Sequence, residues 1–432
     1  MLVKKRKQLW LAGAISSIAY GFLCWRSQAY GDASLSDLLT TAIVCFLASI
    51  YVWNLLRHEQ NTPIIDIVLF ALAFRFLGLF TFPVLEDDFY RYLWDGFFTI
   101  DQGSPYGTPP SDWFNREVPS PVESLLDTIN YPDVSTVYGP TLQWLFALSY
   151  MIAPGELWPL KCMLLLADVA LMLALLRLAP ARHLVLYAWS PLVIKEFVIS
   201  MHPDLIGACL LVLALLAYRS RSDWTMGALL ALAAGVKVFA FVIVPFLLLL
   251  KWRAWLSLVV TAIIIALPFG LLSAWLPDGL AAMGQLWLFN APLYELFGSL
   301  TTFTNLKIIF VSIFVACGGV YGFKWLLAHW RHDSRGKLPR GDILFAGLLI
   351  ILPAFNPWYM IWLLPFAVIR PSIWAWVASF TLILSYASGI NLPANLSADL
   401  QDYQHPNWLL ILEFGLIAFA LVWDIWVGRF KR

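Results

Sequence analysis

Apolar residues form long blocks along most of the chain, and short polar or charged segments separate these blocks. Blocks of roughly 15 to 25 residues match the length that a helix needs to cross the roughly 30 Å hydrocarbon core of a bilayer. An isolated strand would leave its backbone groups unpaired in lipid. The pattern therefore predicts an all-α integral membrane protein, a polytopic bundle of about 12-14 transmembrane helices that forms a single domain over residues 1-432.

The blocks also predict where individual helices lie. The first three helices are expected at about 8–25, 37–56 and 64–83. Segment 84–137 follows, and it is polar, rich in proline and glycine, and the longest interruption of the pattern. Loops longer than about 15 residues usually carry function. The next block, 138–153, would span only about 24 Å at about 1.5 Å per residue, so it predicts an interfacial or partly embedded helix.

Lysine and arginine beside the short loops predict the topology, because cytoplasmic loops carry an excess of both. The run Lys-Lys-Arg-Lys at residues 4–7 places the N-terminus inside, so segment 84–137 lies outside after three crossings. Arg429, Lys431 and Arg432 place the C-terminus on the same cytoplasmic side. Further basic residues that fit this topology are Arg177, Arg182, Arg219, Arg221, Lys251, Arg253, Arg331, Arg335, Lys337 and Arg340.

Two later regions carry polar groups toward the outer face by the same rule. Helices are expected at 183–199 and 204–218, with His202 in the connection between them. The block 224–250 has positive charge at both ends, which predicts a hairpin of two short helices. Lys237 then lies at the outer tip of that hairpin.

The composition excludes a soluble protein. Hydrophobic residues make up 61% of the chain and charged residues 13%, against about half and about a quarter in an ordinary soluble domain. A formal net charge of +1 and the absence of a basic domain give no sign of a nucleic-acid partner. The five cysteines are scattered through apolar blocks without C-x-x-C spacing, which argues against a disulfide framework and a zinc site.

Segment 84–137 opens with Glu86, Asp87 and Asp88, and the topology places further polar and aromatic groups on the same outer face. Together these groups can line one cavity that opens outward. Each has an ordinary explanation on its own. Tryptophan and tyrosine at helix ends usually anchor a protein at the membrane interface, and Lys237 can snorkel to the headgroups. The outer groups beyond this segment are Lys195, Glu196, His202, Asp204, Lys237, Trp358 and Tyr359.

The chemistry of this set suits glycosyl transfer from a lipid-phosphate sugar. Asp88 and Arg91 share a face if the segment begins as a helix. A carboxylate there can accept the proton of an acceptor hydroxyl. Arg91 or Lys237 can stabilise the charge on a departing phosphate. The aromatic side chains that can pack on a sugar ring are Trp94, Tyr106 and Trp358.

The run Asp87-Asp88-Phe89-Tyr90-Arg91-Tyr92-Leu93-Trp94-Asp95-Gly96, followed by Gly103-Ser104-Pro105-Tyr106, resembles the first outer loop of bacterial polyprenol-phosphate-mannose-dependent mannosyltransferases of the GT-C superfamily. The family more often has asparagine where this chain has Ser104. The resemblance implies a GT-C-like fold with a long first outer loop carrying interfacial helices, an acidic base in that loop, and a lipid-linked donor. Later elements in the same order are Tyr138-x-Pro140, His202-x-Asp204, Lys237 and Asn356-Pro357-Trp358-Tyr359.

We therefore expect a glycosyltransferase that moves a hexose, mannose by resemblance, from a polyprenyl-phosphate donor to a lipid or glycan acceptor. It would work by inverting displacement on the outer face of a bacterial plasma (inner) membrane. The extracytoplasmic loop 84-137 would supply Asp88 or Asp87 as the catalytic base. The expected substrate-binding residues are Arg91, Tyr92, Trp94, Tyr106, Tyr138, His202, Asp204, Lys237, Trp358 and Tyr359.

Two questions stay open at this point. No metal is expected to be required, although the oxygen-rich set of Asp87, Asp88, His202 and Asp204 would suit Mg²⁺ or Mn²⁺. The main alternative function is a polytopic transporter or lipid flippase. Transporters tend to show two similar halves and ionisable residues at mid-membrane, whereas the charges here collect at one face. A non-catalytic scaffold subunit and a ligase for whole glycans are further alternatives.

Overall fold

A computed structural model describes residues 2–29, 31–59, 61–331, 337–389 and 405–428. Within these ranges the backbone is helical, and the extended pairing is limited to an isolated bridge between Phe289 and Ala354. This confirms the all-α prediction. The basic residues Arg335, Arg429, Lys431 and Arg432, on which part of the topology prediction rests, lie outside the described residues.

Helices follow one another along the described part of the chain, beginning at Leu2. The α-helices, in chain order, are α1 (Leu2–Arg26), α2 (Leu35–Leu56), α3 (Ile64–Phe80), α4 (Asp88–Gln102), α5 (Ser120–Leu126), α6 (Pro140–Ile152), α7 (Trp158–Leu178), α8 (Val185–Ala188), α9 (Pro191–Val193), α10 (Asp204–Arg219), α11 (Asp223–Val236), α12 (Val244–Leu247), α13 (Trp252–Ala266), α14 (Leu271–Trp275), α15 (Asp278–Leu286), α16 (Pro292–Phe297), α17 (Phe303–Arg331), α18 (Gly341–Ile350), α19 (Leu364–Ile369), α20 (Ile373–Thr381) and α21 (Asn407–Trp426). A π-helix covers Ile194–Ile199, and the 3₁₀ helices are Pro110–Trp113, Ala181–Leu184, Val238–Val242, Leu267–Phe269, Pro357–Trp362 and Leu382–Ser388.

Six described helices are long and apolar enough to cross a membrane, or seven if the bent pair Pro191–Ile199 and Asp204–Arg219 counts as one span. This confirms a polytopic membrane protein. Other apolar blocks are divided into shorter helices. The prediction of about 12-14 crossings includes these blocks. The six are Lys4–Arg26, Leu35–Leu56, Trp158–Leu178, Trp252–Phe269, Phe303–Ala328 and Asn407–Trp426.

The chain folds into two compact units. The first comprises Met1–Phe89, Leu157–Leu205 and Asn356–Arg432, and the second comprises Tyr90–Glu156 and Ile206–Phe355. The expected single domain over 1-432 stays a prediction.

A buried charge pair holds the first unit together. Arg75 of α3 forms an ion pair with Asp168 of α7, and neither side chain is exposed. Asp168 also accepts a hydrogen bond from the Tyr187 hydroxyl, and Arg75 donates to the Ala188 carbonyl at 2.7 Å. Because a charge inside a membrane bundle is costly unless it is paired, these contacts fix how α3, α7 and α8 pack.

Close helix contacts organise the second unit. Gly96 of α4 lies so near α6 that a Cβ there would be 2.4 Å from the Phe146 carbonyl oxygen. No side chain larger than hydrogen fits at that distance. Helix α11 packs along α13 and also against α6. The motif glycine therefore lets α4 and α6 pack together.

Two predicted helices are broken. The expected helix 183–199 is divided into a 3₁₀ turn, α8, α9 and the π-helix. The prediction of one helix is wrong because Pro191 has no backbone N–H and restricts Ser190 to an extended conformation. In 224–250, the break at Lys237 is confirmed, since that residue is extended after α11. The predicted second helix of the hairpin is not continuous, because a new short helix begins near Pro245.

Candidate active site

The turn before α4 places the acidic run. Leu85 has a φ of 50°, a left-handed conformation that bulky residues seldom adopt. The Oε1 atom of Glu86 accepts hydrogen bonds from the backbone N–H groups of Asp87 and Asp88, both at 3.1 Å. The first amides of a helix have no partner inside the helix, so Glu86 caps α4. Asp87 is buried at 4% exposure, and Asp88 is half-buried.

His202 lies against that cap. Its Nε2 atom is 3.0 Å from Oε2 of Glu86, and its Nδ1 atom is 3.1 Å from Oε2 of Glu196. The Trp358 ring stacks on the imidazole, with ring centroids 3.8 Å apart and an interplanar angle of 13°. Met201, just before it, has a φ of 64°. Nδ1 also lies 3.1 Å from the backbone carbonyl oxygen of Glu196, whereas the contact of Nε2 with Glu86 is an ion pair without hydrogen-bond geometry. The imidazole is fully buried, and the Trp358 ring covers one of its faces.

A second layer supports Glu196. The Lys195 Nζ is 3.1 Å from Oε2 of Glu196 and forms a short hydrogen bond with the Tyr386 hydroxyl. That hydroxyl is 3.2 Å from each carboxylate oxygen of Glu196. All three side chains are buried. Buried charges that have partners on every side form a rigid array, so we call Glu86, His202, Glu196, Lys195 and Tyr386 the buried network.

The charges in the buried network balance. The imidazolium form of His202 places one positive charge between the carboxylates on the two sides of the ring. Burial alone would raise the pKa of Glu86, but the positive charge of His202 holds that pKa below its ordinary value. A carboxylate with a lowered pKa is a poor proton acceptor. Glu86 is therefore suited to capping α4, and Asp87 and Asp88 remain the candidates for the base.

Among the described residues, two groups of side chains bring potential metal ligands together. Potential ligand atoms of Glu86, Glu196 and His202 lie within 4.8 Å of one another, as do those of Glu86, Asp87 and Asp88. Asp204, expected as a further ligand, belongs to neither group, and its Oδ1 accepts a hydrogen bond from Trp362 at 2.8 Å. In the first group, Lys195 and His202 already provide positive charge beside the carboxylates.

In the second unit, Arg91 is part of an internal ion pair. Its Nε is 3.0 Å from Oδ1 of Asp95, one helical turn later, and its Nη2 donates to the Val134 carbonyl at 2.8 Å. Asp95 also accepts hydrogen bonds from Gln143, at 3.0 Å, and from Thr136. These bonds tie the segment around residue 135 to α4. The guanidinium of Arg91 is paired with a carboxylate of the protein itself.

The aromatic residues of the motif pack around α4. Tyr92 stacks on Phe146 with centroids 5.1 Å apart and contacts Tyr138 edge-on. The Tyr106 hydroxyl donates to the Tyr138 carbonyl at 2.9 Å. Trp94 is 2% exposed and packs on Phe97, Phe98 and Trp113.

The last two predicted site residues are half-buried. Lys237 Nζ lies 5.1 Å from the Phe239 ring, and Tyr359 contacts Trp358 edge-on. The substrate contacts expected of Lys237, Tyr359 and the aromatic residues around α4 stay predictions.

The match to a known family covers this region. The family described as alpha-(1->6)-mannopyranosyltransferase, N-terminal domain, matches residues 10–253, which is more than half of the chain. The chain belongs to this mannosyltransferase family. No curated protein and no solved structure matches it. The resemblance to mannosyltransferases is thereby confirmed, and the chain is a membrane glycosyltransferase rather than a transporter or flippase.

Parts of this candidate site can be recognised from the sequence, and others cannot. Lys195 and Glu196 stand side by side in an apolar block, and ionisable residues in such blocks usually have a function. The sequence places both residues toward the outer face, but it does not show that they lie beside His202. Tyr386 gives no comparable signal, because it lies 190 residues from Glu196 and tyrosine is common in apolar segments.

Proposed function

We propose that this mannosyltransferase moves a mannosyl group from a polyprenyl-phosphate donor to a hydroxyl of a lipid or glycan acceptor. The reaction takes place on the outer face of a bacterial plasma membrane, with both chain termini in the cytoplasm. The observation that supports the proposal best is the start of α4, where Asp87 and Asp88 are held by the cap from Glu86. A fixed carboxylate beside an apolar region is what a single displacement at a lipid-linked sugar requires.

Asp88 is the favoured base, because it is half-buried whereas Asp87 is almost fully covered. Its carboxylate accepts the proton of the acceptor hydroxyl. The hydroxyl oxygen forms a bond to the anomeric carbon from the face opposite the phosphate. The bond between that carbon and the phosphate oxygen breaks, and the electron pair leaves with the phosphate. A single displacement of this kind inverts the configuration at the anomeric carbon.

A cation near the leaving phosphate would stabilise the charge that develops there. Lys237 is the candidate for this role, because the positive charges that flank 224–250 predict it at the outer tip of its hairpin. A Lys237→Met variant that loses kcat while its folding is intact would support this assignment. An unchanged kcat would remove Lys237 from the mechanism.

The test uses the purified full chain in lipid nanodiscs with radiolabelled mannose on a polyprenyl phosphate. Asp88→Asn is nearly isosteric and should lower kcat by about 10²- to 10⁴-fold, the usual contribution of a general base. Asp112→Asn is the matched control, because Asp112 is exposed within the same segment 84–137. Full activity of Asp88→Asn would refute the assignment of the base. A wild type that is inert with this donor would refute the donor.

A further inference from the structure

We propose that His202 and Trp358 are positioning residues that keep Asp88 in place through Glu86. This inference rests on the proposed function and refines it. It replaces the substrate contacts that the sequence led us to expect for both residues. The sequence of contacts runs from Trp358 to His202, from His202 to Glu86, and from Glu86 to the first amides of α4.

The surroundings of His202 leave it little capacity for a ligand. Both ring nitrogens lie 3.0–3.1 Å from carboxylate oxygens of Glu86 and Glu196. Trp358 covers one face of the ring, and His202 itself is 1% exposed. A substrate hydroxyl could reach either nitrogen only by entering a site that is closed to solvent and separating a buried ion pair, which is strongly unfavourable.

Glu86 connects this array to the catalytic segment. Its two carboxylate oxygens have different partners, since Oε1 accepts from the amides of Asp87 and Asp88 while Oε2 faces His202. The position of His202 therefore sets the orientation of the carboxylate that fixes the first turn of α4. A shift of about 1 Å in a catalytic group can lower a rate about 10²-fold.

The backbone supports the same conclusion. Leu85 and Met201 both have positive φ, at 50° and 64°, and each immediately precedes a member of the Glu86–His202 pair. Such conformations are unfavourable for bulky side chains and persist where surrounding contacts over-determine them. The two turns bring together residues that are far apart in sequence.

Three variants of the full chain separate positioning from substrate binding. His202→Gln and Trp358→Leu should lower kcat by about 10²-fold with the KM for the polyprenyl-phosphate donor unchanged. Trp358→Phe should keep most of kcat, because a phenyl ring can still stack on His202. The control is His183→Gln, a half-buried histidine whose Nδ1 is 3.0 Å from the Val368 carbonyl oxygen. It should retain wild-type kcat.

A raised donor KM with unchanged kcat in His202→Gln would overturn the proposal, because it indicates lost substrate binding. An equal loss of kcat in His183→Gln would also overturn it. A double variant, His202→Gln with Glu86→Gln, should be no slower than the slower single variant, since both act through one contact. A double variant whose kcat falls by the product of the two single losses would contradict the proposal that both residues act through one contact.

Hydrogen exchange gives a readout that does not depend on catalysis. Peptides that contain the amides of Asp87 and Asp88 should exchange at least about ten-fold faster in His202→Gln than in wild type, because the cap loosens. The same peptides in His183→Gln should match wild type. Unchanged exchange in His202→Gln would refute the positioning role even if the wild type transfers mannose. An inert wild type with faster exchange in His202→Gln would instead refute only the proposed function.

Discussion

Removing the carboxylate of Asp95 tests whether this motif residue holds α4 in place or takes part in the chemistry. Asp95 is 1% exposed and accepts hydrogen bonds from Arg91, Gln143 and Thr136. Asp95→Ala would leave the Arg91 guanidinium nearly buried without its carboxylate, which typically costs about 3–5 kcal/mol. Gln143 would lose less, because its Nε2 also lies 3.0 Å from the Thr136 hydroxyl.

The assay is reversible unfolding of the full chain in mixed micelles, with transfer activity measured on the folded fraction. The free energy of unfolding should fall by about 3–5 kcal/mol in Asp95→Ala. Asp101→Ala on the same helix should change it by less than about 1 kcal/mol, because Asp101 is exposed. The double variant Arg91→Leu with Asp95→Leu should recover part of the loss, since no charge is left unpaired. Wild-type stability in Asp95→Ala, together with a kcat lowered at least about 100-fold, would refute the structural role.

Three further predictions concern packing, buried charge and metal. Gly96→Ala should lower the free energy of unfolding by about 1–3 kcal/mol through overpacking against α6. Gly318→Ala should not destabilise the protein, because the space around Gly318 is open. Equal effects of the two variants would contradict the close approach of α4 to α6. Asp168→Asn should destabilise the first unit by about 3–5 kcal/mol, because Arg75 would lose its buried charge partner, and an unchanged melting temperature would show that the pair is not ionised. Treatment with EDTA should leave mannosyl transfer intact, since Lys195 and His202 supply positive charge beside Glu86 and Glu196; a loss that Mg²⁺ or Mn²⁺ restores would contradict this.

The helical bundle could be predicted because its signals are local. The lengths of apolar blocks gave α2 and α3 to within three residues at each end. The break at Lys237 followed from the positive charges that flank 224–250. The divided region around Pro191 was missed because apolar length alone does not reveal which proline interrupts a helix and which begins one.

The candidate site was only partly predictable, because its key contacts are long-range. The acidic run Asp87-Asp88 was recognisable from the motif, and the structure shows it at the start of a helix. The proposed roles of His202 and Trp358 were not, since the contacts of His202 with Glu86 and with Trp358 join residues more than a hundred positions apart in sequence. Glu86 could not be singled out from the sequence, because it directly precedes two other acidic residues, Asp87 and Asp88. Its role as a cap depends on hydrogen bonds that no spacing rule specifies.

Single-turnover transfer with defined polyprenyl-phosphate mannose, followed by assignment of the anomeric configuration of the product, tests the central claim most directly. The account predicts that wild type forms a product of inverted configuration and that Asp88→Asn forms it at least about 100-fold more slowly. Retention of configuration, or transfer by Asp88→Asn at the wild-type rate, would contradict a single displacement with Asp88 as its base.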